Sequence, residues 1–143
     1  MNKNLIYLVQ TNTTVGFLSQ NLDKLNNIKK RPPNKKFLKV VDSFSLLPRV
    51  PKKYRKRIRY TTNKNTYIIK KEAYRVIREN NHQEFLKKFS WNYSSSANES
   101  GKNFEEKFAF ENSDVILYNK KGFFEKEPSK IFKISKNKIR RLR

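Results

Sequence analysis

Short apolar runs, amphipathic stripes and polar loops succeed one another along the whole of this sequence. Asn4 to Val9 reads as a strand from its β-branched and aromatic content. Thr11 to Gly16 is a polar loop ending in glycine. Leu22, Leu25 and Ile28 recur every three residues and predict an amphipathic helix over Ser19 to Lys30. Pro32 and Pro33 halt it, because the residue before a proline avoids helical angles. Phe37 to Val41 is a second strand, and Ser43 is placed to cap a short helix containing Phe44, Leu46 and Leu47. Arg49 to Arg59 reads as a basic connector. Thr66 to Lys70 and Ala73 to Ile77 predict two strands joined by a tight turn. Gln83 to Phe89 suits a short helix, and Asn92 to Ser95 a strand followed by a polar loop through Gly101. Phe104 to Phe110 is helical by spacing, and Asp114 to Tyr118 and Lys130 to Ile134 are strands. This alternation predicts an α/β fold: one domain over residues 1–143, an open, twisted, mixed sheet with flanking helices. No internal repeat or long linker divides it.

The size changes little in that picture, since 143 residues are one domain's worth. The chain has no cysteine, which excludes a disulfide framework, a thiolate metal site and a cysteine nucleophile. Its one histidine, His82, excludes a multi-histidine metal site. No apolar run approaches the roughly 20 residues that cross a bilayer. Leu5 to Val9 is short enough for a signal segment, but polar Gln10 to Thr13 follows in place of a cleavage site. The expected location is the cytoplasm, with no membrane partner.

Charge adds more. The net charge is +22, and residues 1–71 hold 18 Lys/Arg against two acids, Asp23 and Asp42. The remaining residues hold 16 Lys/Arg and 10 acids, none of them in the tail from Pro128 to Arg143. Such a field attracts polyanions. A lysine- and asparagine-rich composition also reads as base-composition pressure, so charge alone names no function.

Three polar segments carry candidate chemistry. In Thr11-Asn12-Thr13-Thr14-Val15-Gly16, hydroxyls and an amide can bind a small polar ligand, or simply form a turn. In Ile28 to Lys35, Lys29 supplies a point charge and Arg31 a planar fork for phosphate or carboxylate. The same residues also suit a solvated basic helix end. In Ser94 to Gly101, small hydroxyl residues and an asparagine leave backbone amides free to approach phosphate, or form a serine-rich surface loop.

Together the three resemble the YrdC-like family, which includes the threonylcarbamoyl-AMP synthases. The family's Pro-Thr-Asp/Glu-Thr-x-Tyr-Gly-Leu loop corresponds to Gln10-Thr11-Asn12-Thr13-Thr14-Val15-Gly16-Phe17. Its Lys-x-Arg-Pro-x-x-Lys-Pro-Leu segment corresponds to Lys29-Lys30-Arg31-Pro32-Pro33-Asn34-Lys35-Lys36-Phe37. Its Thr-Ser-Ala-Asn-x-Ser-Gly loop corresponds to Ser95-Ser96-Ala97-Asn98-Glu99-Ser100-Gly101. Ile77 to Gln83 keeps the Arg-to-His spacing of a Val-Arg-x-Pro-x-His-Pro stretch, without its prolines. Glu127 to Ile131 is similar to a Pro-Ser-Thr-Val-Val strand, and Ile139-Arg140-Arg141 to a final Leu-Arg.

The resemblance implies an enzyme, a nucleotidyltransferase that makes threonylcarbamoyl-AMP and pyrophosphate from threonine, bicarbonate and ATP for tRNA modification. Magnesium would balance the ATP charge, with no protein metal site. A tRNA threonylcarbamoyl-transfer complex would be the partner. It implies that Lys29 and Arg31 are catalytic and hold phosphate oxygens, that Ser96, Asn98 and Arg141 bind the nucleotide, and that Thr13, Arg78 and His82 line a threonine pocket. The chain departs from the family pattern at Asn12, which replaces an acid, and at Val15, which replaces a tyrosine expected to pack on substrate. A Pro-Gly-Pro expected near Thr62-Asn63-Lys64 is missing, and the hairpin between Lys70 and Ala73 is short. These departures leave open a second reading, a non-catalytic protein that binds double-stranded RNA or tRNA on a basic concave face enlarged by Arg49 to Arg59.

Overall fold

In the computed structural model, residues 1–32, 34–60, 64–78 and 80–143 are described. Pro33, Thr62 and Asn63, named above in motif comparisons, and Glu79 within the Ile77 to Gln83 stretch lie outside the described residues. The chain begins with an antiparallel hairpin of β1 (Tyr7–Gln10) and β2 (Val15–Ser19), in register from Tyr7 opposite Leu18 to Gln10 opposite Val15. The Thr11 hydroxyl closes the turn by accepting from the Thr13 and Thr14 amides. The polar loop is thus shorter than its composition suggests, because Val15 and Gly16 are already in a strand. Helix α1 (Leu22–Lys29) starts later than its periodicity predicts. Ser19 is drawn into the sheet, and Asn21 Oδ1 caps the helix by accepting from Lys24 N at 3.0 Å. Lys30, with φ of 46°, closes it before the prolines are reached.

Strand β3 (Leu38–Val41) leads to a single 3-10 turn (Phe44–Leu46) and then to α2 (Lys52–Tyr60). The expected basic connector is therefore a helix. Tyr54 and Ile58 stand one turn apart and give it an apolar stripe despite six Lys/Arg in nine residues. Strands β4 (Asn65–Ile69) and β5 (Glu72–Val76) form the expected tight hairpin. Helix α3 (Asn80–Lys87), strand β6 (Trp91–Ser96), helix α4 (Glu106–Glu111) and strands β7 (Val115–Ile116) and β8 (Lys130–Ile134) follow. A last strand, β9 (Ile139–Arg141), was not anticipated; it is three residues of mostly arginine, ordered only by pairing with β8.

All nine strands join one mixed sheet in the order β7-β1-β2-β6-β3-β5-β4-β8-β9. Register assigns every side chain to a face, because alternate residues point to opposite sides. Leu8, Phe17 and Phe37 pack under α1 and α4 through Leu25, Ile28, Phe108 and Ala109. Tyr93, opposite Lys39, lies on that same face, and so does Tyr74 on the other side of Lys39. Tyr67, Ile69, Phe132 and Ile134 continue this face under Tyr54 and Ile58 of α2. The opposite face carries Tyr7, Val9, Leu18 and Val40, covered by Phe85, Leu86 and Phe89 from α3 and the residues after it. Tyr7, Phe85 and Phe89 meet there with ring centroids 5.2–5.4 Å apart. This second face is covered at one end only, and the uncovered part is the candidate site. Among the described residues, no helix is long and apolar enough to cross a membrane.

The β4–β5 loop stores a correctable strain. Lys70 and Lys71 both adopt the left-handed region, with φ of 50° and 67°, where a side chain costs about 1–2 kcal/mol per residue. Replacing them by Asn-Gly, the pair suited to such two-residue hairpins, should raise stability by about 1–2 kcal/mol in urea unfolding. An unchanged midpoint would mean that the loop carries no such strain.

Candidate active site

The uncovered face forms the floor of a cavity of about 490 Å³. Gly16, Leu38, Ala73, Arg75, Ser94 and Ser96 contribute from neighbouring strands. Thr11, Thr13, Pro128, Ser129 and Arg143 close the sides from loops and the chain end. Gly16 permits the close approach of β2 and β6: a Cβ there would meet the Ser95 carbonyl oxygen at 3.1 Å. The lining carries five cationic side chains, Arg31, Lys36, Arg75, Lys126 and Arg143, and one carboxylate, Glu125. The site is built to receive anionic groups.

Arg75 is the buried cation of its lining. Its side chain is 8% exposed, and it meets only hydroxyls among the described residues. Nε and Nη2 donate to Thr66 Oγ1 at 3.1 and 3.0 Å, Nη1 to Thr13 Oγ1 at 3.0 Å, and Nη2 to Ser129 Oγ at 2.8 Å. Burial, with Arg143 nearby, lowers its pKa to about 10, so it remains charged at neutral pH. A buried cation whose described partners are all neutral favours an incoming anion, because an anion supplies a charge that these hydroxyls do not. Arg143 Nε donates to the Ser129 carbonyl at 3.1 Å, which holds the chain end at the cavity.

The serine-rich loop is fixed from behind. Lys29, 1% exposed at the end of α1, donates from Nζ to the carbonyls of Ser96, at 2.9 Å, and Asn98, and to Asn98 Oδ1 at 3.3 Å. Burial, aided by Arg31 and Lys35, lowers its pKa to about 8. Arg31 stacks over Phe37, 4.8 Å from the ring centroid, and donates from Nη2 to Ser95 Oγ at 3.2 Å. Gly101, at φ of 81°, turns the loop where a side chain would be strained. Ser96 and Asn98 are thereby held on the cavity wall.

The predicted residues divide. Thr13, Arg31, Ser96 and Asn98 line the cavity together. Lys29 stands behind the loop and does not line it. Arg78 is exposed and outside the lining, and Arg141 is exposed on the edge strand β9. The C-terminal arginine that does reach the cavity is Arg143, because β9 pairs antiparallel with β8 and its continuation turns back toward Ser129. His82 is 2% exposed on α3 and does not line the cavity. Val15, which stands where a tyrosine was expected to pack on substrate, points into the core beside Leu8 and Phe17. Sequence reasoning missed Arg75, Thr66, Ser129 and Arg143. Alternation sets Arg75 on the face opposite Tyr74 and Val76, but nothing local says that this face forms a site.

Glu125 is the lone carboxylate of the lining, and its Oε1 already accepts from Phe104 N at 2.6 Å. No group of three or more His, Asp or Glu stands together among the described residues.

His82 makes a clean pH prediction because it is the chain's one histidine. Among the described residues neither ring nitrogen has a hydrogen-bond partner, and burial, with Arg75 nearby, lowers its pKa from 6.5 to about 4. Between those values the unfolded chain binds more protons, so stability should fall as pH drops from 6.5 toward 4, by up to about 3 kcal/mol. Urea midpoints of His82→Leu should lose most of this slope. A parental imidazole resonance titrating near pH 6.5 would overturn the assignment.

No family model matches this sequence, and no curated protein matches it by sequence. Solved structures do match by shape. Sua5 from P. abyssi superposes with a TM-score of 0.80 at 16% identity over 97% of this chain and 52% of that one. Its complex with L-threonine gives 0.78 at 14% identity, over 97% of this chain and 50% of that one. E. coli YciO gives 0.79 at 16% identity over 99% of this chain and 83% of that one. Full-length HypF in its phosphate- and nucleotide-bound form gives 0.71 at 14% identity, over 97% of this chain and 26% of that one. The chain therefore spans about half the length of P. abyssi Sua5. Identities this low speak for the fold alone, and the fold is the YrdC-like α/β fold that the ordered motifs resemble.

Proposed function

We propose that this cavity binds ATP and threonine and makes threonylcarbamoyl-AMP. The observation that carries the reading is the cationic cavity lined by the buried Arg75, with the Lys29-braced serine loop on its wall. It draws support from the order of the motifs, and from the likeness in fold to Sua5, one structure of which holds L-threonine. In this reading Arg75 takes the amino-acid carboxylate through its planar fork, with Thr13 beside it. Arg31, Ser96, Asn98 and Arg143 take phosphate oxygens. Lys29 positions the loop that presents Ser96 and Asn98, rather than touching the reacting atoms.

The reaction asks for positioning and charge neutralisation. The threonine amine and bicarbonate form a carbamate with loss of water. A carbamate oxygen attacks the α-phosphorus of ATP, the bond to the bridging oxygen breaks, and pyrophosphate departs with the electron pair. Magnesium bound to the nucleotide would supply neutralisation of its phosphates. The cavity's excess of cations would stabilise charge building on the departing pyrophosphate. The finished adenylate would pass to a tRNA threonylcarbamoyl-transfer complex.

Pyrophosphate release from ATP and magnesium, with threonine or bicarbonate omitted in turn, tests the reading. Release should require both. Arg75→Lys keeps the charge but loses the fork, and should raise the threonine KM by roughly 10- to 100-fold with a smaller change in kcat. Lys29→Ala should cut kcat/KM on the order of 100-fold by releasing the loop. Nucleotide binding without any threonine-dependent release would replace the enzyme by a nucleotide-binding protein.

A further inference from the structure

The connection between β7 and β8 brings a cation to the cavity from outside the sheet. β7 stands at one edge of the sheet and β8 next to the other, so residues 117–129 travel from one side to the other. They pass the β1–β2 turn and contribute Glu125, Lys126, Pro128 and Ser129 to the lining. Two residues fix this strap ahead of Lys126. The Gln10 side chain grips Phe124 on both sides, accepting from its amide at 3.0 Å and donating to its carbonyl at 3.2 Å. Glu125 bridges to Thr14, and its carboxylate accepts from the Phe104 amide. Beyond Lys126, the Ser129 hydroxyl is buried against Arg75 and Thr66. Gln10 stands where the resembling motif has proline, whose side chain can make neither hydrogen bond.

The cations of the lining differ in what already holds them. Arg31 donates to Ser95 Oγ at 3.2 Å, and Lys36 pairs with Glu72 at 3.4 Å. Arg75 donates to three hydroxyls, and Arg143 to the Ser129 carbonyl at 3.1 Å. Among the described residues, Lys126 makes no hydrogen bond, and neither flanking carboxylate, Glu125 or Glu127, forms an ion pair with it. Its Nζ lies 5.0 Å over the Phe124 ring centroid. A ring face holds an exposed ammonium by only about 0.5–1 kcal/mol, so Lys126 can leave it for an anion. Lys126 is also exposed, whereas Arg75 is buried. A compact charge on a flexible stem suits an anion that changes position, and a fixed fork suits one that does not. In the proposed reaction the anion that moves is pyrophosphate.

We propose, on the synthase reading above, that Lys126 meets the departing pyrophosphate and that Gln10 holds the strap presenting it. As the bond from the α-phosphorus to the bridging oxygen breaks, that oxygen keeps the electron pair and gains charge. The Lys126 ammonium moves from the Phe124 ring to this group, and no proton has to be transferred. An interaction that strengthens as charge builds raises kcat rather than tightening the ground state. Lys126 is then a catalytic residue and Gln10 a positioning residue. From the exposed rim Lys126 can follow the pyrophosphate outward, while the buried Arg75 keeps the amino-acid end in place.

Calorimetry of the full chain with magnesium pyrophosphate tests the contact without turnover. Lys126→Ala should bind it about tenfold more weakly than the parent, and Lys126→Arg should recover most of that loss. In pyrophosphate-release assays Lys126→Ala should lower kcat by roughly 10- to 100-fold with little change in the threonine KM. Gln10→Ala should show part of both losses. The double variant Gln10→Ala, Lys126→Ala should be no weaker than Lys126→Ala alone, because Gln10 acts through Lys126. The pair Lys120→Ala, Lys121→Ala, on the same strap but outside the lining, should match the parent. Equal losses in that pair would reduce the effect to net charge and overturn the contact. Full pyrophosphate affinity in Lys126→Ala would overturn the role of Lys126 and leave the synthase reading standing. Additive losses in the double variant would overturn the role of Gln10. A parent that binds pyrophosphate through Lys126 but shows no threonine-dependent release would overturn the synthase reading, and the catalytic step with it. A parent that binds no pyrophosphate would overturn both.

Discussion

A guanidinium held out of solvent by three hydroxyls is the constraint around which this molecule is arranged. Thr13 comes from the first turn, Thr66 from β4, Ser129 from the entry to β8, and Arg75 from the sheet between them. None of these residues is close to another in sequence apart from Thr66 and Arg75, nine positions apart. Hydroxyls satisfy donors without neutralising charge. Replacing any one by a carboxylate would fill the same hydrogen bonds and remove the attraction for a ligand. The sheet order, which brings β4, β5 and β8 side by side, makes the arrangement possible.

The second feature is a division of labour among cations that look equivalent in sequence. Lys29 and Arg31 are two residues apart, yet Lys29 is sunk against carbonyls while Arg31 stays on the cavity wall, stacked on Phe37. Burial makes Lys29 easier to deprotonate, and the three oxygens around Nζ explain why it is tolerated there. A loop of small residues has little core of its own, so an ammonium joining Ser96 to Asn98 supplies the order that packing cannot.

The two faces of the sheet then separate two kinds of positive charge. On one face, cations gather round an enclosed hollow with buried donors of fixed direction, which favours a small ligand. On the other, they stand on a helix whose apolar stripe is only Tyr54 and Ile58, spread over a surface open to solvent. The sequence reading placed the Arg49–Arg59 run on the concave face. Register puts α2 on the reverse side, because Tyr67 and Phe132, which it covers, alternate with the cavity residues Thr66 and Ile131.

Local pattern determined much of this protein: the strands rich in Val, Ile, Leu and Tyr, the Leu22–Leu25–Ile28 helix, the β4–β5 hairpin, and the order of three polar motifs that announced the fold. Thr13, Arg31, Ser96 and Asn98 were legible for the same reason, since each belongs to a short motif. Other features had no local signal. β9 exists only because β8 offers an edge, α2 hides two apolar residues among six cations, and Arg143 reaches the cavity through a strand return. Which face a strand residue occupies is a property of pairing, and pairing joins residues 108 positions apart, as Tyr7 and Val115 show. The sequence alone therefore determined the elements, the charge and the motif residues. Tertiary structure decided that Arg75 is the buried cation of the site, that Lys29 braces rather than lines it, and that the basic helix faces away from it, because burial and facing arise only when distant strands meet.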